Sequence, residues 1–198
     1  MKKITLSLVS VLALSGLVYA GGDIAPVMEE EQIVVERSPF YLGFGIGGAE
    51  LNVDATNEQF TSTALMLQAG YQYNEYVAIE GRYSFGFSTD YDQGTTTGLA
   101  TYGDISSWGI YLKPMYPIGD FSIYGLLGYG GVMLSDIRNG DAYENGFQYG
   151  LGASYNITET VSIFADYVWL YDDTGLDYVA ISNDVDANVW TLGVSYKF

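Results

Sequence analysis

Glu80 and Arg82 stand two residues apart in the stretch "YVAIEGRYSFGF", Lys113 falls in "SWGIYLKPMY" and Asp166 in "VSIFADYVWLY". Glu80 and Arg82 share their parity with Ala78, Ser84 and Gly86, Lys113 with Gly109, Tyr111 and Met115, and Asp166 with Ser162, Phe164 and Val168, while the alternate positions hold residues such as Ile79, Tyr83, Trp108, Ile110, Ile163 and Trp169. A period of two marks a strand with unlike faces. Two cations and two carboxylates gathered on the small-residue face must pair, because a buried charge left alone is very costly. Paired, they can plug a narrow interior, or they can act as a gate or selectivity element for a solute. Tyr111 and Phe164 share that face and take up room, which favours the plug.

Catalysis has little to start from. The chain contains no His and no Cys, so the commonest general base and the thiolate nucleophile are both missing. Ser84, Ser154 and Ser195 read as small interior residues, and the chain reads as a non-enzyme that needs no cofactor. Two acidic stretches, "STDYDQG" (88–94) and "YDDTGLDY" (171–178) with Asp184 and Asp186 beyond it, offer oxygen ligands to Ca²⁺ or Mg²⁺. Neither matches the twelve-residue calcium loop. A solvated acidic loop is the simpler account, and no metal site is assigned.

Eight alternating segments would have to position these residues. They are "FYLGFGIGG", "ALMLQAGYQY", "YVAIEGRYSFGF", "SWGIYLKPMY", "FSIYGLLGYGGVML", "GFQYGLGASY", "VSIFADYVWLY" and the terminal "NVWTLGVSYKF". Strands of about 10 residues suit a tilted crossing of a bilayer. The fifth segment has apolar residues on both parities, so its faces stay open. Pro114 removes a ladder donor from the fourth, and a bulge or the strand's end is expected there. Tight turns follow the second, fourth and sixth segments, at Asn74-Glu75, Pro117 to Asp120 and Asn156 to Thr160. Long connections take the other places: Ala49 to Ser62, Ser88 to Asp104, Ser135 to Glu144 and Asp172 to Ala187. That alternation belongs to a transmembrane barrel with its short turns in the periplasm; a Greek-key sandwich has no reason for it.

Residues 1–20 have two lysines, an apolar run and small residues before Gly21, the layout of a secretory signal peptide. Residues 21–38 read as a flexible acidic leader, and 39–198 as the barrel domain. Without the signal the chain has 7 − 2 = 5 basic and 24 acidic residues, a net charge of 5 − 24 = −19, which excludes nucleic-acid binding. A hydrophobic share of 48% excludes disorder.

The bulky set is expected to face lipid, with Tyr and Trp as interfacial girdles. The glycine-rich face would line an interior about wide enough for side chains alone. In lipid every backbone group needs a partner within the protein, so the last strand must close on the first. Trp190, Leu192, Val194, Tyr196 and Phe198 resemble the C-terminal sorting signal of bacterial outer-membrane barrels. From Pro39 to Phe198 the chain resembles the small outer-membrane barrels related to that of outer-membrane protein A, often termed porin-family proteins. This resemblance implies an all-β, eight-stranded antiparallel up-and-down transmembrane barrel in the outer membrane, with both termini periplasmic. It also implies contact with outer-membrane lipid and lipopolysaccharide, engagement of the barrel-assembly machinery through the terminal strand, and a monomer. The expected role is structural or surface-interacting, with a narrow passive channel as the alternative. A soluble periplasmic binder with its apolar set inside is a third reading.

Overall fold

The computed structural model describes residues 38–53, 58–92, 104–137, 140–174 and 184–198. The expected signal peptide, the leader up to residue 37 and, of the two acidic loop stretches, residues 93–94 and 175–178 lie outside the described residues. Eight strands form one closed antiparallel ring in chain order: β1 (Phe40–Val53), β2 (Glu58–Asn74), β3 (Val77–Asp92), β4 (Ile105–Ile118), β5 (Phe121–Ile137), β6 (Gly140–Asn156), β7 (Val161–Thr174) and β8 (Asp184–Lys197). The final strand zips onto the first from Tyr41↔Lys197 to Val53↔Val185, which leaves the ring no free edge there.

The faces settle which medium lies outside. Phe44 is 63% exposed and Leu151 66%, whereas Glu80 is fully buried. A soluble protein would have these reversed, so the outer wall is built for hydrocarbon. The soluble reading fails on this observation. In β5, Tyr124, Leu126, Val132 and Leu134 are buried inside and Ile123, Leu127 and Tyr129 are exposed outside, which fixes the parity that sequence left open.

The strands are longer than the expected ten residues, at 14 to 17. With about 3.3 Å per residue and a tilt of about 45°, they reach roughly 33–40 Å, against an apolar band about 25 Å tall. The excess lies at the outer end, where the faces exchange character. Leu51, Phe60, Ile105, Leu134 and Val185 are buried within the ring, while Gln59, Thr61 and Thr63 are exposed on its wall. This upper part is built like a soluble barrel, and its apolar filling rewards continued pairing beyond the bilayer. The connection read as 49–62 therefore shrinks to 54–57, and that read as 135–144 shrinks to 138–139.

Pro114 neither bulges nor ends β4. Leu112↔Leu127 and Met115↔Tyr124 share one register, and pairing with β5 simply lapses between them. On the other side the Met115 amide still donates to the Tyr76 carbonyl at 2.7 Å. The missing donor points at β5, so the cost is one rung.

The inner-end turns are short. Tyr76 N–H donates to Asn74 Oδ1 at 2.8 Å across the β2–β3 turn, and Val161 N–H to Thr158 Oγ1 at 2.9 Å before β7. Gly119, in the β4–β5 turn, has φ of 66°, a left-handed conformation that costs an L-residue about 1–2 kcal/mol. Its side is open, with nothing within 4 Å of an added Cβ. Gly119→Ala is therefore expected to destabilise by about 1–2 kcal/mol through backbone strain alone, read as a lower urea midpoint for the detergent-refolded barrel. An unchanged midpoint would show that the turn relaxes without cost.

Candidate functional site: the charged lumen

The alternation of β3 sends Glu80 and Arg82 to the inside, two residues apart and one above the other. Lys113 reaches the same level from β4, where Ala78↔Lys113 and Glu80↔Tyr111 are register partners. Asp166 comes from β7, which is diametrically opposite β3 in a ring of eight. All four are buried.

They form one connected network. Arg82 Nε donates to Glu80 Oε1 at 2.6 Å, and Arg82 Nη2 crosses the lumen to Asp166 Oδ2 at 2.8 Å. Lys113 Nζ donates to Glu80 Oε2 at 2.9 Å. Hydroxyls complete it: Tyr41 donates to Glu80 Oε2 at 2.5 Å and Tyr124 to Asp166 Oδ2 at 2.8 Å. Two positive and two negative charges cancel, and aromatic faces cover the cations. Lys113 Nζ lies 4.1 Å from the Tyr124 ring centroid, and Arg82 lies 5.9 Å from that of Tyr111. Tyr111 in turn donates to Gln148 Oε1.

Glycines make the room for this. The Tyr41 ring lies across Gly70, where any Cβ would collide with it. At Gly152 a Cβ would come within 2.5 Å of the Tyr124 ring and 2.6 Å of Asp166 Cβ. The small-residue face is thus the mould of the network.

Above the charges, Leu126, Val168, Val132 and Leu51 belong to a continuous apolar cluster. Below them a polar cavity of about 240 Å³, lined in part by Lys113, Phe164, Gln68 and Lys197, opens at the inner end. Lys113 Nζ, part of the ion-pair network, stands at the boundary between this cavity and the charges.

Sequence reading missed the three tyrosine hydroxyls and Gln148, although Tyr41, Tyr111, Tyr124 and Gln148 all occupy inward parity. Register across non-consecutive strands was the lacking information. Of the terminal residues, Trp190, Leu192, Tyr196 and Phe198 are exposed on the wall and Val194 is half-buried. Ser84 is buried; Ser154 and Ser195 line the lower cavity. The described residues contain no group of three or more acidic side chains able to hold a metal ion.

Comparison with known proteins agrees with this architecture. The family model "Outer membrane protein beta-barrel domain" matches residues 6–198. Outer membrane protein X of Escherichia coli K12 is 30% identical over 112 residues, 54% of this chain and 60% of that protein, so the match spans less than two thirds of the relative's length. Among solved structures, Neisserial surface protein A is 16% identical with a TM-score of 0.60, covering 81% of this chain and 98% of that one. Ail of Yersinia pestis, solved in complex with the heparin analogue sucrose octasulfate, is 19% identical with a TM-score of 0.53 over 82% and 99% of the two chains. At such identities the structural likeness speaks for the fold alone. A closed eight-strand ring with a lipid-facing wall and a family match across nearly its whole length assign this chain to the outer-membrane β-barrel proteins of the cell outer membrane.

Proposed function

We propose that this barrel has a non-enzymatic structural or surface-interaction role in the outer membrane, and that its lumen conducts no solute. The observation that carries the reading is the Arg82 bridge from wall to wall, with a buried apolar cluster above it. An ion entering from the inner cavity would have to break charge-assisted pairs in a low-dielectric interior and then cross a mostly apolar layer whose buried polar side chains include Ser62, Ser84 and Ser107. Absence of His and Cys supports the non-enzymatic part.

Charge decides what kind of partner the outer end could meet. Glu50, Asp90, Asp104, Asp141, Glu144, Asp172, Asp173 and Asp186 lie toward that end, and of the chain's seven Lys and Arg only Arg138 falls there in sequence. A polyanion such as the one bound by Ail would be repelled. Cationic partners fit. The remaining parts of the reading are a cleaved signal at 1–20, a leader at 21–38, recognition of the Trp190 to Phe198 strand by the barrel-assembly machinery, and a monomer in lipopolysaccharide-rich lipid.

The test is conductance. Purified, refolded protein in planar bilayers is expected to give no stable current step, under conditions where gel mobility with and without heating shows a closed barrel. Reproducible steps from closed barrels would favour the narrow channel instead.

A further inference from the structure

The ladder between β6 and β7 stops halfway. Its last pair is Tyr149↔Trp169, yet among the described residues β6 continues outward paired only with β5, and β7 continues paired only with β8. The wall forks there. In the fork lies a cavity of about 270 Å³, lined by Phe147, Tyr149, Trp169, Tyr171, Asn145 and Asp172 among others. That is about nine times the volume share of a liquid water, roughly 30 Å³. Trp169 and Tyr149 stack at 5.0 Å with an interplanar angle of 16°, and Phe147 continues the row 6.4 Å from Tyr149. The aromatic wall is therefore built in advance of any ligand.

Its rim is acidic. Asp172 and Asp173 both line the cavity, and Glu144 acts electrostatically on the Tyr171 hydroxyl beside them. Asp172 also stands directly opposite Asp186 in the β7–β8 register, and like charges in that relation destabilise a sheet. Among the described residues, no Lys or Arg lines the cavity. Aromatic faces with carboxylates at the edge are the chemistry that recognises an organic ammonium group.

We propose that the β6–β7 fork is a binding site for an organic ammonium group, held against the Phe147–Tyr149–Trp169 row and paired with Asp172. The inference rests on the surface-interaction reading only for which end faces outward. Conductance tests that reading and this titration does not, so the two can fail separately.

The experiment follows the Trp169 indole N–H by NMR in the refolded full barrel, with tetramethylammonium chloride as probe. Equal sodium chloride and the neutral tert-butyl alcohol serve as controls. A saturable shift at Trp169, absent at Trp190 and absent with both controls, is expected. Asp172→Asn should weaken the apparent affinity at least tenfold and Phe147→Leu severalfold, with both variants still heat-modifiable on gels. Equal shifts with sodium chloride or the neutral isostere would overturn the proposal, as would full affinity in both variants. Repeating the spectrum in vesicles of phosphatidylethanolamine and of phosphatidylglycerol, without added amine, separates sources. A shift confined to the first assigns the ammonium to a lipid headgroup, and no difference assigns it to a soluble or peptide amine.

Discussion

Arg82→Met is expected to destabilise the barrel by about 3–5 kcal/mol, the range for removing one partner of a buried ion pair. The loss falls unequally on the two carboxylates. Glu80 keeps Lys113 and the Tyr41 hydroxyl, whereas Asp166 keeps only the Tyr124 hydroxyl on Oδ2 and has no partner on Oδ1. Asp166 would then be a buried anion without a countercharge. Adding Asp166→Asn to Arg82→Met should therefore recover most of the lost stability, because it removes the stranded charge without restoring the bridge. Lys113→Met should cost less than Arg82→Met, since Arg82 still neutralises Glu80. The measurement is the urea midpoint of the unheated gel band in detergent, with the double variant as the control if Arg82→Met alone does not fold. A cost under about 1 kcal/mol for Arg82→Met, or no recovery in the double variant, would mean that the lumen is wet enough to solvate its charges.

The same residues show how far sequence reaches. Parity alone placed Glu80, Arg82, Lys113 and Asp166 on one face, since a strand offers only two. It could not say that Arg82 meets Asp166, 84 residues away, because that contact depends on ring closure and on the relative stagger of β3 and β7. Tyr41 and Tyr124 were hidden by a different fact: Tyr serves equally as an interfacial girdle and as an interior hydroxyl, and composition does not separate the two; Tyr111 was legible as an interior filler but not as a donor to Gln148. Strand length failed for a third reason. Above the bilayer the inside becomes apolar and the outside polar, so "ELNV" and "EQFTST" lose the pattern that identifies a lipid-facing strand. The β5 ambiguity has the same origin, with Leu126 and Val132 filling the apolar part of the lumen while Leu127 and Tyr129 face out. The β6–β7 fork had no local signal at all, because the residues on both sides remain in strands.

Leu192→Arg is the substitution that most directly tests which way the wall faces. Leu192 is 56% exposed and lies between Trp190 and Tyr196 on the lipid side of β8, with Ile46 and Ala165 as its neighbours across the two ladders. An arginine near the bilayer midplane on a barrel's lipid face costs about 2–4 kcal/mol, falling to about 0–1 kcal/mol near the interfaces. Thr61→Arg gives the contrast, because Thr61 is equally on the outer face but above the apolar band, where β2 is already polar. A large loss at Leu192 with almost none at Thr61 is therefore expected when both proteins are refolded into lipid vesicles and unfolded with guanidinium. In a water-facing wall the two arginines would cost the same, and that equality would remove the physical basis for placing this chain across a membrane. A further asymmetry is expected in kinetics. β8 must complete the ring by pairing with β1, so an arginine at 192 should slow closure into vesicles, while one at 61 leaves the closing strand untouched.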